Sequence, residues 1–161
     1  MAWTTPKTDW ETGELIAASD FNAVNENLAT LRNLATAIYT TTEEIRVVGD
    51  EFADLDSTNL NLTITTTGGD VLVHFDGAMA RNVSSNRCHF DIDVDGIRQG
   101  GDIGLTHIDL VHGDRRHSVS FDRFVQGLSA GSHTFKLQWK GNHSGRGIIL
   151  YPGAQFWVRE I

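Results

Sequence analysis

The chain has 161 residues, enough for one domain with a substantial core and too few for two domains of ordinary size. Its 21 acidic residues outnumber 13 basic ones, for a net charge of −8. That excludes broad contact with nucleic-acid phosphates, which needs a positive face. A single cysteine, Cys88, excludes an intramolecular disulfide framework, and no apolar run approaches the ~20 residues of a membrane helix. Neither a nucleic-acid partner nor membrane insertion is expected.

Residues 1–18 (MAWTTPKTDWETGELIAA) lack the basic segment and apolar stretch of a secretory signal, so synthesis in the cytoplasm without a signal peptide is expected, and any route out of the cell is a different one. Pro6 and Gly13 break any helix, while Trp3 and Trp10 have no local apolar partner. Such an arm does not order alone, because fixing a backbone costs about 1–2 kcal/mol per residue. Trp3 and Trp10 either fold back on the chain's own domain or anchor the arm on a partner, a role in which Trp is enriched.

Residues 19–42 carry a helical pattern. Ser19 suits an N-cap, and Phe21, Val24, Leu28, Leu31, Ala35 and Ile38 follow at alternating spacings of three and four. This is the seam of a short coiled coil, with Phe21, Val24, Leu28, Leu31 and Ile38 as its members. The same spacing also fits an amphipathic helix lying on the domain. Asn22, Asn25, Asn27 and Asn33 narrow the apolar stripe toward the seam alternative, and Thr40, Thr41 and Thr42 are expected to end the helix.

From Glu43 to Ile161 the pattern is all β. Strands are expected over 43–48, 59–66, 70–76, 88–95, 104–112, 116–125, 132–140, 147–151 and 154–160. Alternation is clear at Leu60/Leu62/Ile64, Val71/Val73/Phe75, Phe90/Ile92/Val94 and Phe135/Leu137/Trp139, with Gly, Asp and Ser between the runs. Many short strands at this spacing indicate a sandwich or jelly roll, with a meander barrel as the competing answer. The run Gln155-Phe156-Trp157-Val158 is apolar on both faces, which fits a doubly covered central strand or one at a subunit interface.

The opening of the chain resembles the start of small virion proteins of tailed bacteriophages. The residues that carry this are Met1-Ala2-Trp3-Thr4-Thr5-Pro6, Trp10 through Gly13-Glu14-Leu15-Ile16, Ala17-Ala18-Ser19-Asp20-Phe21-Asn22 and Asn27-Leu28-Ala29-Thr30-Leu31. Asp9 departs from the group's Thr-Trp junction. The second half is similar to the C1q/TNF-like jelly roll at the ends of phage fibres, through Gly68-Gly69-Asp70-Val71-Leu72-Val73, Val94-Asp95-Gly96 and Gly127 through Phe135. The resemblance implies a homotrimer exposed on the virion surface. Its arm, residues 1–18, would grip other virion proteins through Trp3, Pro6, Trp10, Leu15 and Ile16. The expected organisation is then an extended arm (1–18), a short coiled-coil helix (19–42) and a jelly-roll β-sandwich (43–161). Fibre, spike and capsid decoration remain open alternatives.

Asp91-Ile92-Asp93-Val94-Asp95-Gly96, with Asp102 eleven residues after Asp91, matches several positions of a calcium loop. No flanking helices accompany it, and the alternation of Phe90, Ile92 and Val94 instead describes a strand with the three Asp facing solvent or an opposing sheet edge. No cofactor is therefore expected, with Ca²⁺ at Asp91, Asp93, Asp95 and Asp102 as the exception. His107-x-Asp109-x-x-His112 has ligand types for a transition metal, but dispersed histidines on β surfaces are usually ordinary polar residues. No G-x-S-x-G elbow or phosphate loop is present, and Gly141-Asn142-His143-Ser144-Gly145 puts its serine one place late. The chain is expected not to be an enzyme, although a carboxylate pair for glycoside cleavage depends on a separation that sequence does not supply. The rival function is a carbohydrate-binding head for a host-surface glycan, with Ca²⁺ assisting.

Overall fold

The computed structural model describes residues 18–32, 36–81, 86–110 and 116–161. Helix α1 spans Ala18–Arg32. The strands, numbered in chain order, are β1 (Thr36–Thr40), β2 (Ile45–Val48), β3 (Ala53–Asp54), β4 (Asn61–Thr66), β5 (Gly69–Arg81) and β6 (Asn86–Val94). They continue with β7 (Ile97–Arg98), β8 (Thr106–Leu110), β9 (His117–Leu128), β10 (Gly131–Gly141), β11 (Gly147–Leu150) and β12 (Gln155–Glu160).

The helix is shorter than its spacing suggested. Thr36–Thr40 is a strand whose Ile38 pairs opposite Trp157, so Ile38 is not a seam residue and the sandwich begins before Glu43. The cause is local: β-branched Thr36, Ile38 and Thr40 favour extended backbone, and the intervening Ala37 and Tyr39 pack on the core.

Two antiparallel sheets form. In the first, β5 carries β9 along one edge, while β12 and β11 follow one another along the other, at Val71–Asp76 and Met79–Arg81. Outside these lie β1 against β12 and β2 against β11. In the second sheet, β10 pairs β6 on one edge and β4 and β3 on the other, and β6 carries β8 and β7 on its outer edge. Each sheet is therefore four rows wide. The chain alternates between them, with β4 in the second, β5 in the first, β6 in the second, β9 in the first, β10 in the second and β11 in the first. This is a jelly-roll β-sandwich.

The core fills the space between the sheets. Phe75 of the first sheet stacks on Phe90 of the second, with centroids 6.1 Å apart, and Phe121 leans on both. Phe135, Phe156, Leu137 and Ile148 close the layer around them. Full burial of such side chains contributes roughly 1.5–3 kcal/mol each. Among the described residues, none of α1 joins this core.

Two glycines are demanded by the fold. A Cβ at Gly147 would run into the Val47 carbonyl, because β2 and β11 pass closely there. Gly96 (φ 86°) follows Asp95 (φ 53°) in the turn between β6 and β7, where both residues sit in the left-handed region.

Candidate functional site

The outer face of the first sheet is set by alternation along its rows. Val71, Val73 and Phe75 point inward on β5, and Phe156, Val158 and Glu160 on β12, so their neighbours Leu72, His74 and Trp157 point out. Register then aligns two cross-sheet ladders. One runs Ile38, Trp157, His74, Asp122, and the other Thr36, Arg159, Leu72, Phe124. His74 stacks on the Trp157 indole at 5.0 Å and 25°. Its Nδ1 lies 2.6 Å from the Asp122 carboxylate and its Nε2 lies 3.2 Å from that of Asp76. Ile38 and Phe124 are 60% and 44% exposed. The face thus carries two apolar pairs, Ile38–Trp157 and Leu72–Phe124, with the polar pairs His74–Asp122 and Thr36–Arg159 completing the ladders. Sequence exposed half of it, in the two-faced apolar run of β12; the partners Leu72, His74 and Phe124 appear only with the register.

The anchoring residues Trp3, Pro6, Trp10, Leu15 and Ile16 lie outside the described residues. Of the seam residues on α1, Phe21 is 58% and Val24 43% exposed. The side chains of Leu28 and Leu31 lie outside the described set. Asn27, placed among the polar residues beside the stripe, is buried.

The acidic motif does not gather its carboxylates. Asp91 is fully buried: its Oδ1 accepts the Gly100 N–H at 2.8 Å and the Ile92 N–H at 2.8 Å, and its Oδ2 accepts Arg98 Nη1 at 3.2 Å. Asp93 accepts the Gly96 N–H at 2.9 Å. Asp95 accepts the Thr134 N–H at 2.8 Å and faces His133 Nδ1 at 2.6 Å. Asp102 offers its backbone carbonyl to the Lys140 ammonium. Three carboxylates thus serve three separate places, Asp102 is engaged through its backbone carbonyl, and the calcium-loop arrangement at Asp91, Asp93, Asp95 and Asp102 is not formed. Nor do Asp91 and Asp93 face solvent. Residues 97–105 run along the outer edge of β6, where the Gln99 N–H donates to the Ile92 carbonyl, the Leu105 N–H to that of Phe90 and the Gly100 N–H to the Asp91 carboxylate. Among the described residues, no group of three or more His, Cys, Asp or Glu is placed to hold a metal ion. Asp109 is engaged by Arg87 at 2.7 and 3.1 Å, while the His89 and His107 rings stand 5.6 Å apart.

The titratable groups are held for structure. Burial pushes the Cys88 thiol up to about 12, which leaves it protonated and unreactive. Burial also lowers His89, against the opposing bond its Nδ1 makes with the Ile103 carbonyl at 2.9 Å. His133 is raised, first by Asp95 and then by the Ser129 carbonyl 2.9 Å from its Nε2. Both ring nitrogens of His74 and of His133 face acceptors, so neither ring presents a free basic nitrogen to a substrate.

No family model matches the chain, and no curated protein matches it. Among solved structures, it is similar to the Eiger TNF from S. frugiperda at 14% identity and a TM-score of 0.47, over 80% of this chain and 91% of that one. A pentameric capsid protein isolated from metagenomic phage sequences aligns at 21% identity and a TM-score of 0.32, over 97% and 82%. A chain of infectious bursal disease virus, Gx strain, aligns at 10% and 0.46, over 78% and 31%. The fold assignment rests on the strand order itself.

Proposed function

We propose that this chain is a non-enzymatic structural protein of a tailed-phage virion. It assembles as a trimer and is fixed to the particle by residues 1–18, as a fibre, spike or surface decoration. The observation that carries the assembly is the outer face of the first sheet, where Ile38 and Phe124 are exposed and Trp157 and Leu72 lie half-buried in neighbouring ladders. Exposed apolar groups gathered on one face support an interaction site there. Exposed Phe21 and Val24 on α1 support the same reading, since a seam built to meet its own copies has no cover within one chain. The doubly engaged rings of His74 and His133 and the protonated Cys88 thiol support a role without catalysis. The virion assignment rests on the resemblance of residues 1–31 to phage virion proteins.

The test is particle composition. Virions assembled from a full-length gene and from one lacking residues 1–18 are purified and their proteins identified by mass spectrometry. The full chain is expected in the particle and the shortened chain in the unbound fraction. A shortened chain that stays with the particle removes the anchoring role of the arm, and a full chain absent from the particle removes the virion role.

A further inference from the structure

Strand β9 ends one side of the first sheet. It pairs with β5 along one edge and, among the described residues, with no strand along the other. It has 12 residues, whereas β4, the next longest strand at a sheet edge, has six. Its pairing with β5 runs without a shift from Val71↔Val125 to Met79↔His117. A long and regular edge of this kind offers a row of unpaired backbone N–H and C=O groups to any other strand, and soluble proteins guard such edges.

The register sets Val119, Phe121, Arg123 and Val125 of β9 opposite Gly77, Phe75, Val73 and Val71 of β5. Val71, Val73 and Phe75 are fully buried, so this is the side of the strand that faces the second sheet. Arg123 therefore interrupts an apolar row with a guanidinium. Its Nε is buried without a hydrogen-bond partner, while the residue as a whole is half-buried. An ionised group so placed must keep part of its hydration, and a long side chain rooted on the last strand of a sheet reaches water around that strand's open edge.

We infer that Arg123 closes the β9 edge against a strand from a second copy of this chain, so that copies do not join into one continuous sheet. An added strand would cover the route to water and shut the guanidinium in without a partner. Two-fold pairing of β9 with β9 brings a further penalty. A register that uses most of the strand and keeps both cores on one side sets the two Arg123 residues opposite each other or two residues apart, like charge near like charge. With an apolar residue at position 123, the run from Val119 to Val125 would have a wholly apolar inner face, the pattern that invites strand addition. A copy packed on the outer face of the sheet uses side chains and not the β9 backbone, so the device leaves the proposed trimer untouched.

The test uses the full chain as wild type, Arg123→Val, Arg123→Met and Arg123→Lys at roughly 0.1 mM, a range in which exposed strand edges associate. Chromatography with light scattering follows mass, and hydrogen exchange follows the amides of residues 117–128. All four proteins should share one circular dichroism spectrum. The Val and Met variants should place about tenfold more chain in species larger than the wild-type assembly, with the β9 amides gaining protection there. Arg123→Lys keeps the charge and should behave as wild type. Apolar variants that keep the wild-type mass, larger species whose β9 amides exchange as in wild type, or equal growth in Arg123→Lys would each overturn the inference. So would a mass below that of wild type, which would make Arg123 a contact between copies, or an altered spectrum in both apolar variants, which would make it a support of the fold.

Discussion

The imidazole of His133 lies 2.6 Å from the carboxylate of Asp95, a residue held at a φ of 53°. The contact ties β10 to the turn between β6 and β7, and it has a pH signature. His133 is raised above its ordinary 6.5, first by the bond to Asp95, so its contribution is fully present below 6.5 and lost as pH rises through the folded value. Burial works against the Asp95 charge, but the bonds from the Thr134 N–H and His133 outweigh it and lower its pKa. That contribution is present above 3.8 and lost as pH falls through the lowered value. The pair therefore stabilises most between these limits.

His89 acts in the opposite sense: its lowered pKa favours the folded state as pH rises. The informative quantity is then the difference between wild type and His133→Gln. The melting temperature of the wild type should exceed that of the variant most near pH 5–6, and the gap should narrow toward pH 8. A gap that is constant with pH would remove the ion pair from the account of stability.

Arg98→Met leaves the fully buried Asp91 carboxylate with backbone donors alone. Breaking a buried pair costs about 3–5 kcal/mol, and the two remaining N–H bonds place this case near the lower end, at about 3 kcal/mol. Urea denaturation measures it. The double variant Asp91→Asn/Arg98→Met should recover part of the loss, because no uncompensated charge remains.

Gly147→Ala puts a methyl group against the Val47 carbonyl, where backbone faces backbone and neither strand can yield. A loss of about 2 kcal/mol or more is expected by denaturation. Gly145→Ala, with open space at its Cβ, serves as the control and should stay within about 0.5 kcal/mol.

On the outer face of the first sheet, Ile38→Lys and Phe124→Lys change exposed side chains outside the core. Their circular dichroism should match the wild type while the oligomer mass falls. A mass unchanged in the double variant would place the subunit contact elsewhere.

Much of the sandwich was legible because its strands alternate cleanly. Leu60/Ile64, Val71/Val73/Phe75 and Phe135/Leu137/Trp139 all point into one core. The pattern failed where two periods overlap. Ile38 continues the three-four spacing of α1, yet Thr36–Thr40 also alternates, and pairing with β12 decides the conflict for the sheet. Short strands such as β3 and β7 carry too few residues for any period. The calcium-loop spacing misled for a related reason. Sequence places Asp91, Asp93 and Asp95 on one side of a strand, but each carboxylate finds its own backbone donor, Gly100 for Asp91, Gly96 for Asp93 and Thr134 for Asp95. The cluster in which Arg98 and Lys140 lie over the Phe52 ring was hidden altogether, because its members come from separate segments that only the fold brings together.

In the proposed trimer, copies of this chain cover the Ile38–Trp157–Phe124 face. Light scattering on the full chain at micromolar concentration reads that state from the mass. The expected result is a single species at three times the 17.8 kDa chain mass. A species at the mass of one chain, with the apolar face left open in solution, would contradict it, as would a closed assembly of five.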